Sequence, residues 1–463
     1  MRRFELVLTF ASVFAVAWPV VFGVRPRRGI VAGVLTFCFI VQLQFEGFRW
    51  QLLPIYGVAL GLAIGDILFI DRKLRWSNRV SRGVFGLTGI ALAAALAVVF
   101  PVPTLPQPSG GSPIGSITVE VTDGEREEIY GPSPGGPRTF TVQVWYPAQP
   151  VDEPDPMPWS ADWEVVAPAV SELLGFPSWF LDHTGYTLGH AVISAPVAPG
   201  TFPVVVYSHD WTGFRTAAVN QMEALASNGY VVIAIDHAYG AVVTLIGDRV
   251  VEYDPAALPA VEDVGPEAHL SAADALITTF ADDIVSVLDS LDLGASGPLA
   301  FLAGSVDLER VGVFGHAAGG GAAIVVCLQD ERCDAVLGLD PWVEPLPNQV
   351  IRETPTRPAL FMRSDEARDT QNDAILRGLV GRASAVTYWV DVVGASSNDF
   401  VSLPLLSPIA AQLGLKGPIP AGRVIPIVDN YLVGFFDVFL LGTGPATLEN
   451  VSFPEVSVEV VSP

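Results

Sequence analysis

Two different patterns of apolar and polar positions divide this chain. Four near-continuous apolar runs come first, at roughly 4–24, 29–45, 52–70 and 83–103. Each is about 17–21 residues long, and ~20 residues of helix rise ~30 Å, enough to cross a hydrocarbon core. They predict four transmembrane helices. The first run has the look of a secretory leader, but no small-residue cleavage site follows it and three more spans do, so it is read as a helix. Beyond residue 115 the pattern changes to short apolar runs at 117–122, 139–146, 203–208, 230–236, 311–315, 334–340, 358–363 and 386–393, with amphipathic stretches near 216–228, 268–292, 317–329, 370–380 and 424–441. That alternation predicts a mostly parallel sheet with helices on both faces. The first two strand candidates predict an antiparallel edge. The run 424–441 is interrupted by Asp429, Asn430 and Asp437, which favours a helix packed on the sheet over a fifth span. Between the two patterns, TLPQPSGGSPIG reads as an extended tether. The expected organisation is a four-helix transmembrane region at 1–103, a linker at 104–115 and an α/β domain at 116–463.

Charge sharpens the division. Residues 1–103 carry 11 Lys and Arg against 4 Asp and Glu, and the remainder carries 14 against 45. A basic membrane part and a strongly acidic aqueous part follow, and the acidity excludes nucleic acid as a partner, since phosphate binding requires Lys and Arg. Eight basic residues (Arg25, Arg27, Arg28, Arg72, Lys73, Arg75, Arg79 and Arg82) fall in the first and third loops, against Arg2, Arg3 and Arg49 on the other side. The positive-inside rule then places a multi-pass protein in the cell membrane with its large C-terminal domain extracytoplasmic. Glu46 and Asp66 lie near span ends and read as interfacially solvated groups. Cys327 and Cys333 are either a local disulfide, if the domain sits in an oxidising compartment, or two buried free thiols.

The motif that should carry chemistry is Val311–Phe314 followed by Gly315-His316-Ala317-Ala318-Gly319-Gly320-Gly321 and then a helical pattern. This is the strand–turn–helix setting of a G-x-S-x-G nucleophile elbow. The nucleophile position is Ala317, a methyl group with nothing to attack with.

Several separated stretches give the chain a family resemblance. They are Val204–Thr216, Asn220–Met222 with Ala226–Tyr230, Ile235–His237, Gly338–Trp342 and Asp399–Ser407. Together they resemble, in order, the platelet-activating-factor acetylhydrolase group of α/β-hydrolases, particularly bacterial members with N-terminal spans. The resemblance covers about 115 to 445 and implies an α/β-hydrolase fold. In that family Ser, Asp and His act together on an ester carbonyl while backbone N–H groups hold the oxyanion. Carried over by position, Asp340 is the retained acid, Ala317 the degenerate nucleophile and Ser397 the degenerate histidine position. Trp211 and Ala318 supply the oxyanion donors, and His209, Phe214, His316, Trp342 and Phe400 line the pocket. Asp210 stands where the family has glycine and would crowd the oxyanion loop.

The six histidines are His183, His190, His209, His237, His269 and His316. Only His316 lies within the elbow and none lies beyond it, so the usual loop cannot supply the base. Ser396 and Ser397 have no base legible in the sequence. The expectation is therefore a membrane-anchored pseudohydrolase that binds a lipid or ester ligand or scaffolds membrane-protein partners. The alternatives are residual carboxylic-ester or phospholipid acetyl hydrolysis, and a structural subunit of a membrane complex. No cofactor or metal is expected, because neither a phosphate-binding loop nor a clustered His/Cys pattern occurs.

Overall fold

The computed structural model describes residues 1–24, 26–68 and 76–462. Arg25, Arg72, Lys73 and Arg75, which carry half of the predicted cytoplasmic charge, lie outside the described residues. The chain divides into two compact units. One comprises Met1–Pro103 with Trp179–Tyr186 and Leu406–Ile409, and the other comprises the rest.

In the first unit the apolar runs form α1 (Arg3–Phe22), α2 (Ile30–Glu46), α3 (Leu53–Leu68) and α4 (Trp76–Val99). Leu8, Val16, Leu35, Ile55, Ile90 and Ala93 pack inward. Phe10, Phe14, Phe37, Leu60 and Phe85 point outward and stay exposed. Apolar surface on the outside of a helix bundle matches a lipid solvent. Three helices, Arg3–Phe22, Trp50–Leu68 and Ser77–Val99, are long and apolar enough to cross a membrane. Ile30–Glu46 has only 17 residues, ~26 Å of helix, and falls short of that measure. The fourth helix also begins at Trp76 rather than at residue 83. Its first two turns are polar and hidden from a hydropathy reading, so Arg79 and Arg82 are helical residues, not loop residues. Glu46 and Asp66 are not simply solvated. Glu46 accepts from the N–H groups of Phe4 and Glu5 at 2.8 Å each, and Asp66 accepts from Ala32 N–H at 3.1 Å. Each carboxylate thus closes the open N-terminus of a neighbouring helix.

The second unit is built on one sheet. Its strands are β1 (Ile114–Glu127), β2 (Pro137–Pro147), β3 (Pro156–Pro158), β4 (Leu188–Ile193), β5 (Phe202–Ser208), β6 (Val231–Asp236), β9 (Val306–His316), β10 (Cys333–Leu339), β11 (Ala359–Arg363), β12 (Thr387–Val392) and β13 (Val456–Val461), with β7 (Val243–Ile246) and β8 (Arg249–Glu252) forming a separate hairpin. The order across the sheet is β13-β12-β11-β10-β9-β5-β6-β2-β1-β4-β3. Neighbours from β12 through β6 are parallel. The pair β1/β2 is antiparallel as expected, but it is not the edge, because β4 pairs with β1 and β3 with β4.

Alternation along β9 explains the two helical layers. Val311 and Val313 join a core with Ile277 and Ile284 of the helix Pro266–Asp292 and Ala322 of the helix Ala318–Gln329. A Cβ on Gly312 would instead strike Phe436 of the helix Ala421–Phe439, on the opposite face. That last helix packs Val424, Ile427, Val428 and Phe435 inward, in keeping with a sheet-covering role. Cys327 and Cys333 are disulfide-bonded.

Candidate functional site

The end of β9 turns sharply into the helix Ala318–Gln329 through Ala317, which sits at φ 45° and ψ −108°. A non-glycine residue held there costs roughly 1–3 kcal/mol. Backbone bonds hold it in place. Ala317 N–H donates to Leu339 O at 2.9 Å, and its carbonyl accepts from Gly321 N–H at 3.0 Å and Trp342 N–H at 2.9 Å. The glycines are required by space, since a Cβ on Gly315 would collide with the Gly319 carbonyl and one on Gly319 with the Ser208 carbonyl. The strain that presents a nucleophile is fully built, and it presents a methyl group.

Facing the elbow is the loop after β5. His209 is fully buried, donates Nδ1–H to Asp210 O at 2.6 Å and accepts His237 N–H on Nε2 at 3.2 Å. Beyond it, Arg215 pairs with Asp236 and Asp162. The two expected oxyanion donors converge, but they are taken. The Asp210 carboxylate accepts Trp211 N–H at 2.7 Å and Ala318 N–H at 3.2 Å, both on Oδ1. An internal carboxylate oxygen therefore fills the space between the two N–H groups.

Asp340 closes β10 at φ 45° and accepts Ser364 N–H at 2.8 Å. Burial pushes its carboxyl above the usual range, against the opposing effects of Ser364, His316 and Ser397. Ser397 opens the turn Ser397–Phe400 after β12, and its Oγ lies 2.9 Å from His316 Nε2. The Ser397 hydroxyl thus contacts an imidazole at the position where the family resemblance leads one to expect a histidine. Sequence order concealed this Ser–His contact. Among the expected pocket residues, His316 is buried, and Trp211 and Trp342 are half-buried, Trp211 meeting Tyr253 edge-to-face and Trp342 lying tilted against His269. Phe214 is buried against Trp163, and Phe400 is fully buried, its carbonyl accepting from Gln221 Nε2 at 2.7 Å.

Behind the loop lies an array that sequence reading missed. Ser208 Oγ is 2.8 Å from His237 Nε2, and His237 Nδ1 is 3.0 Å from Asp283 Oδ2. All three are completely buried. Phe280 stacks on the His237 ring with centroids 3.8 Å apart, and Arg138 also pairs with Asp283. Burial pushes His237 down to about 4. Burial alone would raise Asp283, but Arg138 and His237 outweigh it and hold that carboxyl well below the usual range.

A mostly parallel sheet, a strained elbow at the end of its central strand and two backbone donors facing that elbow define an α/β-hydrolase-type domain. The model of the family described as "Platelet-activating factor acetylhydrolase, isoform II" matches residues 108–252 and 282–439, and the chain belongs to that family. The platelet-activating factor acetylhydrolase of Cavia porcellus is 24% identical over 323 residues, covering 65% of this chain and 72% of that protein. The one from Canis lupus familiaris is 25% identical over 254 residues, covering 50% and 56%. A ferulic acid esterase from Streptomyces cinnamoneus superposes with a TM-score of 0.63 at 27% identity, over 77% of this chain and 99% of that one. The ancestry is that of acetylhydrolases and esterases.

Proposed function

We propose that the protein is a membrane-anchored pseudohydrolase. Its α/β domain keeps the family's architecture and serves as a ligand-binding or scaffold module rather than as a catalyst. One observation carries this reading: the Asp210 carboxylate accepts both oxyanion N–H groups above an elbow that bears only a methyl. Catalysis of acyl transfer needs a nucleophile, a base to activate it and free donors for the developing charge. The first is missing and the last are occupied. Apolar N-terminal helices support multi-pass anchoring, with the second helix completing a bundle of four. The loop Arg residues and the Cys327–Cys333 disulfide favour an extracytoplasmic α/β domain, since disulfides persist in oxidising compartments. A lipid or ester would be the ligand such a site retains, and the helices offer a surface for membrane-protein partners.

Residual ester hydrolysis is the second reading, favoured by the 2.9 Å contact between Ser397 Oγ and His316 Nε2. Against it, burial pushes the Asp340 carboxyl up, which weakens it as a charged partner for this pair.

The deciding assay uses the full chain purified in detergent and a short-chain aryl ester. The triple variant Asp210→Gly/Ala317→Ser/Ser397→His is measured beside it. A silent native chain with turnover in the triple variant is the expected outcome. Native turnover well above the buffer rate sinks the reading and sends the search to Ser397.

A further inference from the structure

The segment Trp179–Tyr186 belongs to the helical unit, and with the α2–α3 loop it encloses a half-open cavity of about 210 Å³. Phe48, Arg49, Trp50, Trp179, Asp182 and His183 line it. The Trp50 and Trp179 rings meet at 71° with centroids 5.4 Å apart, making a corner of two aromatic walls. Trp50 is held by its Nε1–H, which donates to Phe180 O at 2.9 Å. The rim is exposed: Phe48 is 54% and Trp179 49% accessible. Trp50 also begins one of the apolar spans, so the cavity lies at the level where aromatic belts meet headgroups.

Two polar groups in the lining lack partners. Arg49 is 1% exposed; its Nη1 bonds Glu5 and its Nη2 donates to Phe100 O, but Nε has no acceptor. His183 is 2% exposed, with the Phe180 carbonyl 3.1 Å from Nδ1 and the Pro101 carbonyl also facing the ring. Nε2 makes no hydrogen bond. Burial, with Arg49 nearby, pushes His183 down to about 3, so the ring stays neutral. Arg49 Nε–H therefore still lacks an acceptor, which a phosphate oxygen would supply. The exposed Asp182 carboxylate and the aromatic corner favour a cation. A molecule that satisfies these three carries both signs a few ångströms apart.

We infer that this cavity is a binding site for the headgroup of a zwitterionic phospholipid, with its phosphate at Arg49 and its ammonium between Asp182 and the Trp50–Trp179 corner. A primary ammonium fits better than a quaternary one, because only the former donates N–H bonds. The inference rests on the membrane reading above, and the two fail separately. Carbonate extraction of membranes tests that reading, since release of the chain into the supernatant overturns anchoring whatever lipid it binds. The site is tested with the full chain in lipid-stripped detergent micelles, by native mass spectrometry with phosphatidylethanolamine and phosphatidylglycerol of identical acyl chains. One phosphatidylethanolamine should be retained, preferred about tenfold, and Trp179→Ala and Asp182→Asn should each weaken it about fivefold without changing phosphatidylglycerol binding. Both substitutions are at exposed side chains. Equal retention of the two lipids, or phosphatidylethanolamine binding unchanged in both variants, overturns the site.

Discussion

Two constellations of catalytic residue types lie on either side of one loop, and each lacks what the other has. Ser208, His237 and Asp283 have the connectivity of a triad: hydroxyl to Nε2 at 2.8 Å, Nδ1 to carboxylate at 3.0 Å. They also have the tautomer of one, because an ionised Asp283 can only accept from Nδ1–H. Yet they are sealed under Phe280, with no room for a substrate. Ala317, Asp340 and Ser397, the positions proposed above for a lost triad, lie at strand ends near two backbone donors, without a triad's chemistry. Hydrogen-bond pattern alone therefore does not identify an active site. Access, a free oxyanion hole and a nucleophile on a strained turn do. In the buried array the same chemistry becomes scaffolding, since His237 N–H bonds the His209 ring that in turn fixes the loop bearing Asp210.

The largest effect should come from breaking the buried array. Asp283→Asn removes the charge that Arg138 and Arg126 both pair with, leaving cations uncompensated in a dry site. A loss of about 3–5 kcal/mol in stability is expected, read from the thermal or denaturant midpoint. A change below ~1 kcal/mol would mean that the array holds nothing in place.

Next in size is the internal plug. With Ala317→Ser and Ser397→His already present, adding Asp210→Gly should raise ester turnover about 10²–10³-fold, the usual worth of oxyanion donors. If the double variant is already as fast as the triple, Asp210 leaves the hole readily and the plug is not what silences the site.

Part of this contrast is visible in the sequence and part is not. The elbow is legible because Gly315 to Gly321 is one contiguous strand–turn–helix signal, and the parallel strands are legible as apolar runs. The occupied hole is not, since Asp210 and Ala318 are 108 residues apart, nor is the Ser397–His316 contact across 81 residues. The buried array joins residues 29 and 46 apart with no motif to announce them. Asp210 did leave a trace, as a side chain where the family has glycine, but crowding and capping differ only in three dimensions. Local signals were also passed over. Gly247-Asp248 between two β-branched runs is a two-residue hairpin turn, and the Val456–Val461 strand alternates too briefly to stand out.

A half-buried acid tests whether pairing is what separates Asp283 from ordinary carboxyls. Asp429 has only Asn220 Nδ2–H, 2.9 Å away, and loss of solvent pushes its carboxyl up to about 7. Its folded pKa thus lies above its unfolded value of ~4. The folded state binds the extra proton between pH ~4 and 7, so stability falls as pH rises through that window. Asp429→Asn keeps the acceptor for Asn220 and should gain up to about 4 kcal/mol at pH 8, less where residual solvent screens the site, with no gain at pH 4. A pH-independent difference would contradict the assignment.

The smallest change separates the two arrays most directly. Ser208→Ala removes the hydroxyl of the sealed array and leaves His237 Nε2 without its donor. One neutral hydrogen bond is worth about 1 kcal/mol, so the melting midpoint should drop slightly. Ester turnover of the triple variant should stay the same within about twofold, because the Ser208 hydroxyl is fully buried behind the loop. The same substitution would abolish turnover if the sealed serine were the nucleophile. Stability and activity therefore respond in opposite patterns under the two readings: a small loss of stability with full activity marks Ser208 as scaffold, and full stability with lost activity marks it as a catalyst.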